Sequence, residues 1–211
     1  MKKTVVLALL LSVAFVACKT DKKEVKEEVA ETEVEANDIE DGVYTANVNN
    51  STLEWKGFKP TGTHNGTVAI EYGTLTVENG MVTGGTFTFD MDSLLVLDIP
   101  ADEEDNAKLT NHLKSGDFFD VENNPTATFD VTSYDGNEMK GNLVVKGISK
   151  PIAFNATLDK VDGGIELNGE TFEIDRTEYD IKFKSKKFFD NLKDKFINDE
   201  FEIKFKVKAS K

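Results

Sequence analysis

The sequence predicts a mainly antiparallel β fold carried by residues 43–211, and three observations lead to this prediction. Apolar and polar residues alternate with period two over most of the region, as in strands with one buried face. Turn signals such as Asn79-Gly80 and Asp135-Gly136 recur at short intervals and predict hairpins. The strand–helix–strand rhythm of a parallel sheet is missing from the pattern.

The alternation predicts nine or ten strands. The clearest is the last one, in which Phe201, Ile203, Phe205 and Val207 face one way and charged residues face the other. A change of face around Gly169 indicates a bulge. The main predicted strands are residues 44–49, 53–59, 66–77 with a break at Gly73, 82–91, 127–132, 139–146, 148–158, 165–174 and 200–209.

Two short segments change to a helical period. Apolar residues fall at helical spacing within residues 101–116. In residues 186–197, Phe188, Leu192 and Phe196 repeat every four positions, which predicts a second short helix. The fold class is therefore all-β with two short helical segments.

An antiparallel sheet of this size with one apolar face either closes into a barrel or folds into a sandwich. The inward-facing set is rich in Phe, which favours a barrel with an apolar lumen that can hold one small ligand. A conventional filled core is the alternative. The candidate lumen residues are Trp55, Phe87, Phe89, Phe129, Phe154, Phe172 and Phe205. The pairs Phe118-Phe119 and Phe188-Phe189 are interpreted as packing elements of the helical regions, or as movable covers over a lumen.

Two polar residues are candidate ligand contacts. His64 lies in a glycine-rich turn that we place at the barrel mouth, whereas His112 is expected to form structural hydrogen bonds. Arg176 offers a fork of donors to a carbonyl or headgroup oxygen, or instead ties a strand end to a neighbouring carboxylate. The acidic run from Asp98 to Asp105 lacks the spacing of an EF-hand loop. We expect no metal site and no required cofactor.

Composition and motifs exclude several functional classes. The formal net charge of −14 argues against nucleic-acid binding, which needs clustered Lys and Arg. The same acidity repels anionic lipid headgroups, so we expect any membrane attachment to come from something other than a basic patch. The sequence has no G-x-S-x-G, H-E-x-x-H or P-loop motif. We therefore expect a protein that is not an enzyme.

The N-terminus predicts export and a lipid anchor. Lys2 and Lys3 precede an apolar run of 13 residues, 5–17, which has the length of a signal-peptide core. The run ends at Cys18, the one cysteine of the chain, and the junction resembles the lipobox of bacterial lipoproteins. This resemblance implies a signal peptide at residues 1–17 and lipid chains on Cys18. An ordinary cleaved signal with an incidental cysteine is the alternative.

Residues 18–42 are predicted to form a lipidated, acidic and flexible tether. Residues 19–42 contain ten acidic residues, four lysines and no aromatic residue, which is too polar to bury a core. Removal of Lys2 and Lys3 with the signal peptide changes the charge from −14 to −16, of which the tether carries −6 and residues 43–211 carry −10. We expect a membrane-anchored lipoprotein of the bacterial cell envelope, on the periplasmic or surface side of the outer membrane.

Six sequence blocks between residues 51 and 203 together resemble the YceI family of exported lipid-binding proteins, and they occur in the family's order. The blocks are STLEWKGFK followed by GTHNGT (51–67), FDMDSL (89–94), HLKSGDFFDV followed by PTATF (112–129), GNL to KGISKPI (141–152), IDRTEY (174–179) and DEFEI (199–203). Asp180 departs from the pattern, since the family usually has glycine there.

The resemblance implies an extended, lipocalin-like antiparallel β-barrel whose lumen holds a long apolar chain, often a polyisoprenoid such as a quinone tail. It implies binding or carriage without catalytic machinery. Our leading hypothesis is a lipid-anchored binding protein for a polyisoprenoid, a quinone-like molecule or another amphiphile. The alternative is an envelope protein-interaction module with a filled barrel, whose partner is another envelope protein or a second copy of the chain. A hydrolase with dispersed catalytic residues is the third hypothesis.

Overall fold

Alternating side chains and short turns build nine strands and one α-helix within residues 39–211, the part of the chain that this computed structural model describes. The predicted signal peptide, Cys18 and nearly all of the tether lie outside the described residues. The elements are β1 (Gly42–Ala46), β2 (Thr52–Lys59), β3 (Gly62–Glu78), β4 (Met81–Val96), α1 (Glu104–Lys114), β5 (Thr126–Tyr134), β6 (Glu138–Val145), β7 (Ile148–Val161), β8 (Gly164–Asp175) and β9 (Glu200–Ser210).

The strands form one antiparallel sheet that closes into a barrel. Eight strands follow one another in the order β3-β2-β9-β8-β7-β6-β5-β4, and β4 pairs again with β3. The short strand β1 continues the line of β2, because it also pairs with β3 and β9. A 3₁₀ turn at Val48–Asn50 separates β1 from β2. The predicted antiparallel barrel is confirmed. Because the sheet closes on itself, the alternative of a two-sheet sandwich does not apply.

Turns of an antiparallel barrel alternate between its two ends. The β3–β4, β5–β6 and β7–β8 hairpins lie at one end, where the interior is filled by side chains. We call this the filled end, and its buried residues are Tyr44, Leu75, Val77, Val82, Val131, Tyr134, Ala156, Leu158, Ile165 and Ala209. The opposite end, the mouth, carries the short β2–β3 and β6–β7 turns and two long connections, residues 97–125 and 176–199.

The first predicted helix is confirmed as α1 in the 97–125 connection. The second predicted helix, over residues 186–197, is wrong, since the structure has only a three-residue 3₁₀ turn at Lys193–Lys195 there. Asn191 and Lys193 adopt left-handed backbone angles, with φ values of 62° and 50°, which interrupt an α-helix. Within residues 39–211, no helix is long and apolar enough to cross a membrane.

Strand irregularities lie close to their predicted positions. The β8–β9 pairing shifts register between Gly169 and Phe172, which confirms the bulge. Strand β3 runs through Gly73 without interruption, and its register shift lies just before that residue, between Ile70 and Tyr72.

Three buried strand glycines make room for inward-facing Phe rings. A Cβ atom would lie 2.5 Å from the Phe87 ring at Gly73, 2.5 Å from the Phe129 ring at Gly141 and 2.2 Å from the Phe205 ring at Gly169. Real Cβ atoms do not approach other atoms so closely. The absence of a side chain at these positions therefore sets where each ring can lie inside the barrel.

We expect Gly141→Ala to lower the free energy of unfolding of residues 39–211 by about 3 kcal/mol, because overpacking a dense interior is destabilising. The added methyl group would also lie 2.4 Å from the backbone oxygen of Asp130, which cannot move freely. Gly84→Ala is the matched control, since its nearest neighbour lies 3.9 Å away. We expect that change to be neutral in urea unfolding. Equal stability of the two variants would contradict the packing argument.

Candidate ligand-binding cavity

A cavity of about 250 Å³ lies between the filled end of the barrel and the mouth. Side chains from β2 to β9 surround it, and α1 contributes Leu109 and Leu113 beside the mouth. All seven predicted lumen residues line this cavity: Trp55, Phe87, Phe89, Phe129, Phe154, Phe172 and Phe205. The interior is therefore not filled at this end.

Four of the Phe rings form one cluster on the β5–β7–β8–β9 side of the cavity. The Phe154 ring is central, stacked on Phe172 with centroids 4.4 Å apart and planes at 12°. It also contacts Phe129 and Phe205, each with centroids 5.4 Å away, the latter edge to face. Contacts of this kind hold aromatic rings in fixed orientations. The cluster therefore forms an aromatic wall that faces the cavity.

The rest of the lining is mainly aliphatic. Inward-facing residues of the strands supply most of it, including Val68, Ile70 and Leu143. Phe118 and Phe119, which follow α1, also line the cavity near the mouth. Period-two alternation identifies the strand residues from sequence. The two Phe residues carry no such signal, because they lie in an irregular connection.

His64 lines the cavity at the mouth, where the sequence places it. Its Nδ1 atom lies 2.8 Å from Oδ2 of Asp98, and the backbone N–H of Asn65 donates to Oδ1 of Asp98 at 2.9 Å. Partial burial alone raises the pKa of Asp98, but these two hydrogen bonds outweigh burial and lower it below the ordinary value. Asp98 thus holds the imidazole in place at the rim. A contact between His64 and a ligand stays a prediction.

His112 of α1 also lines the cavity, and its contacts are mainly aromatic. Its ring packs edge to face against Phe183 and Phe118, with centroids 4.5 and 5.3 Å apart. Its Nδ1 atom lies 3.9 Å from a carboxylate oxygen of Asp117, too far for a hydrogen bond. The contacts that position the His112 ring are therefore aromatic, and the expected hydrogen bond is not formed with this carboxylate.

Arg176 is buried at the rim with 2% of its surface exposed, although it borders the cavity. Its guanidinium donates to the carbonyl oxygens of Ile181 at 2.8 Å, Asn198 at 2.9 Å and Ile197 at 3.0 Å. Burial lowers the pKa of Arg176, and the neighbouring carboxylate of Asp199, 3.4 Å away, opposes that shift. Four of its five N–H donors are therefore used to tie down the 176–199 connection.

Asp175 and Asp180 shape the start of the same connection. The Asp175 carboxylate accepts from the backbone N–H of Thr177 at 2.8 Å and from Lys187. Burial alone raises the pKa of Asp175, but the hydrogen bonds from Lys187 and Thr177 lower it overall. Asp180 adopts φ 60° and ψ 23°, a left-handed conformation that aspartate tolerates better than most residues. The turn is therefore formed without the glycine that the family usually has there.

Two buried side-chain polar atoms have no hydrogen-bond partner among residues 39–211: the indole nitrogen of Trp55 and the hydroxyl of Tyr179. The same residues contain no cluster of three or more His, Cys, Asp or Glu side chains that could hold a metal ion. Most of the cavity lining is hydrocarbon and aromatic, and its lining residues include Trp55, whose indole nitrogen is unpaired.

A model of the YceI-like domain matches residues 44–209, which is most of the chain and the whole closed barrel. The chain belongs to the YceI-like family. The cavity described above is therefore the lumen of a YceI-like barrel.

Curated relatives match a shorter segment. A UPF0312 protein of Pseudomonas aeruginosa is 37% identical over 84 residues, which cover 35% of this chain and 44% of that protein. A UPF0312 protein of Staphylococcus aureus is 34% identical over 84 residues, which cover 37% of this chain and 49% of that protein. Protein YceI of Escherichia coli O157:H7 is 36% identical over 84 residues, with coverage of 35% and 44%. The chain spans about half the length of these relatives.

Solved structures that share the fold include the following two. BcnA of Burkholderia cenocepacia has a TM-score of 0.61 at 16% identity, covering 79% of this chain and 99% of that one. A polyisoprenoid binding domain from Saccharophagus degradans has a TM-score of 0.60 at 11% identity, covering 79% and 97%. At these identities the similarity shows a common YceI-like barrel architecture.

We expect Tyr179→Phe to be neutral or to stabilise the protein by about 1 kcal/mol at neutral pH, because it removes a buried hydroxyl without a partner. Burial, with a smaller effect of Glu178, raises the pKa of Tyr179 from 10.0 to about 12. The unfolded chain therefore ionises first, and this tyrosine lowers stability as pH rises from 10 to 12. Urea unfolding across that range should show a smaller loss for the Phe variant.

Tyr134→Phe is the control, since the Tyr134 hydroxyl donates to the carbonyl of Ala156 at 3.0 Å. We expect this variant to lose about 1 kcal/mol at neutral pH. A larger loss at position 179 than at position 134 would contradict the assignment of an unpaired hydroxyl.

Proposed function

We propose that the protein holds a long-chain apolar ligand, such as a polyisoprenoid, a quinone-like molecule or another amphiphile, in the lumen of its barrel. The observation that carries the proposal is a cavity of about 250 Å³ that is closed at the filled end and bordered almost entirely by hydrocarbon and aromatic side chains. Burial of such a chain is favourable by about 25 cal/mol for each Å² of apolar surface removed from water.

The distribution of polar groups gives the ligand a direction. Apart from the indole nitrogen of Trp55, the polar side chains of the lining are Lys59, His64, His112 and Arg176, and all four lie at the mouth. A polar head is therefore best placed at the mouth, with its apolar tail toward the Phe154 cluster. The structural similarity to a domain described as polyisoprenoid binding supports this choice of ligand class. We propose binding or carriage, with no catalytic step.

We also propose that lipid chains on Cys18 anchor the protein to a membrane of the bacterial cell envelope. The support is the charged start, the 13-residue apolar run and the lipobox-like junction before Cys18. Two or three acyl chains give stable anchoring, since each buried methylene contributes about 0.8 kcal/mol. An anchor would keep the barrel near a membrane, which is a source of apolar ligands.

Trp55, the one tryptophan of the chain, allows a direct binding test because it lines the cavity. We expect a polyisoprenoid quinone to quench Trp55 fluorescence in residues 39–211 at a stoichiometric ratio. Val145→Phe places a larger side chain into the cavity, and we expect it to raise the Kd obtained from quenching at least tenfold, which is about 1.4 kcal/mol or more.

Val144→Phe is the matched control for this experiment, because Val144 is the adjacent residue on the outer face of β6. It should bind like the wild type. Mass spectrometry of organic extracts of the purified protein should identify the natural ligand. Repeated recovery of no lipid, together with no quenching by the quinone, would overturn the proposal.

The anchor is tested with Cys18→Ala expressed in a bacterial host. We expect this variant to incorporate no radiolabelled palmitate, and to be absent from the membrane fraction that detergent extracts. Cys18→Ser is a second variant with the same expected result, because serine forms no thioether. Labelling of either variant at the wild-type level would show that the lipid is not attached at Cys18.

A further inference from the structure

The 176–199 connection carries a positive charge that contrasts with the rest of the barrel. Residues 182–195 contain six lysines and two aspartates, a net charge of +4. The other residues of 43–211 include 13 basic and 27 acidic side chains, a net charge of −14. All six lysines are exposed. We call residues 182–195 the basic loop.

Two consecutive aromatic residues project from the basic loop. Phe188 and Phe189 are each 49% exposed, so they are not the packing elements that the sequence suggested. The ammonium group of Lys182 lies 5.2 Å from the centre of the Phe188 ring. Exposed Phe beside several lysines is the composition of segments that lie in the interface of a membrane, where the rings enter the acyl boundary and the lysines meet headgroups.

The basic loop is fixed at the cavity mouth. Its two flanks are held by Arg176 through the carbonyls of Ile181 and Ile197. The backbone N–H of Ile197 donates to the carbonyl of Lys184 at 3.0 Å and closes the base of the loop. Ile197 itself lines the cavity. Phe188 and Phe189 are therefore presented from a loop whose base forms part of the mouth.

We propose that the basic loop docks the barrel onto an anionic lipid surface through the 176–199 side of its mouth, since the other long connection at the mouth, residues 97–125, is acidic. The lysines meet anionic headgroups, and Phe188 and Phe189 insert at the interface. The mouth is then brought to the bilayer, so that an apolar chain passes between membrane and lumen without crossing water. The lysines alone would also suit an acidic protein, but binding to such a protein does not require exposed aromatic rings. A membrane explains why two exposed Phe residues accompany the lysines.

This site differs from the expectation drawn from composition. The net acidity of the chain argued against a basic patch. Net charge is a sum over the whole chain, however, whereas lipid headgroups respond to charges within a Debye length, about 10 Å in 0.1 M salt. The docking surface is distinct from the ligand cavity, and its test does not depend on which ligand the cavity holds.

The test measures co-sedimentation of residues 39–211, which contain the complete closed barrel, with vesicles. We expect binding to vesicles of equal parts phosphatidylcholine and phosphatidylglycerol, weaker binding at higher salt, and little binding to phosphatidylcholine alone. The first variant combines Lys184→Gln, Lys186→Gln, Lys193→Gln and Lys195→Gln, which leaves the Lys187–Asp175 ion pair intact. Each lysine contributes about fivefold, so the partition coefficient should fall more than a hundredfold.

The matched control makes the same change of charge on the barrel wall, by substituting Gln for Lys140, Lys160, Lys204 and Lys208. We expect it to keep most of the binding.

The pair Phe188→Ala and Phe189→Ala should lower partitioning about tenfold in anionic vesicles, since part of each ring's burial is lost. Val145→Phe should bind vesicles like the wild type, so that failure of docking is distinguishable from failure of ligand binding.

Amide hydrogen exchange of the unmodified protein provides a second measurement that does not depend on variants folding. Adding anionic vesicles should slow exchange within residues 182–195 and leave the hairpins of the filled end unchanged. Equal losses of binding in the loop and wall variants, or vesicle protection elsewhere than the basic loop, would overturn the proposal.

Discussion

The pairing of β3 with both β2 and β4 is the interaction on which the rest of the structure depends. The 17-residue strand β3 pairs with β2 near the mouth and with β4 over most of its length, so it closes the sheet into a barrel. Closure removes free strand edges and encloses an interior that a flat sheet would expose. Everything inside the barrel then depends on how its inward-facing residues fill that space.

The two ends of the barrel are filled differently because their connections differ. Tight hairpins and β1 bring side chains such as Leu75 and Ile165 into close packing at the filled end. At the mouth, two of the four connections are long, and the cavity beside them is lined by rings. Glycines lie opposite Phe87, Phe129 and Phe205. Each of these rings occupies the space that a side chain on the opposite glycine would need.

Arg176 links the cavity to the loop that covers its rim. Burying a guanidinium is costly, and here its hydrogen bonds to three backbone carbonyls and the Asp199 carboxylate offset the cost. The same bonds hold the 176–199 connection in an irregular path. One residue therefore joins the ligand cavity and the proposed membrane-docking surface into a single functional end of the molecule.

Features that depend on near neighbours were predictable from the sequence. The strand pattern, the hairpin at Asn79-Gly80, with φ values of 54° and 72°, and the bulge after Gly169 follow from alternation and turn chemistry. All seven predicted lumen residues line the cavity for the same reason, since alternation determines which face of a strand points inward.

Features that depend on distant partners were decided only by the tertiary structure. Residues 186–197 have a helical repeat, but bonds from Arg176 to carbonyls 5 and 21 positions away hold their flanks, and the segment between them is not an α-helix. Sequence could not show that His64 pairs with Asp98, 34 positions away, or which end of the barrel stays open. By itself the sequence determined the strands and their inward faces. The tertiary structure decided what those faces enclose, because local periodicity does not show which distant strands pair to close the barrel.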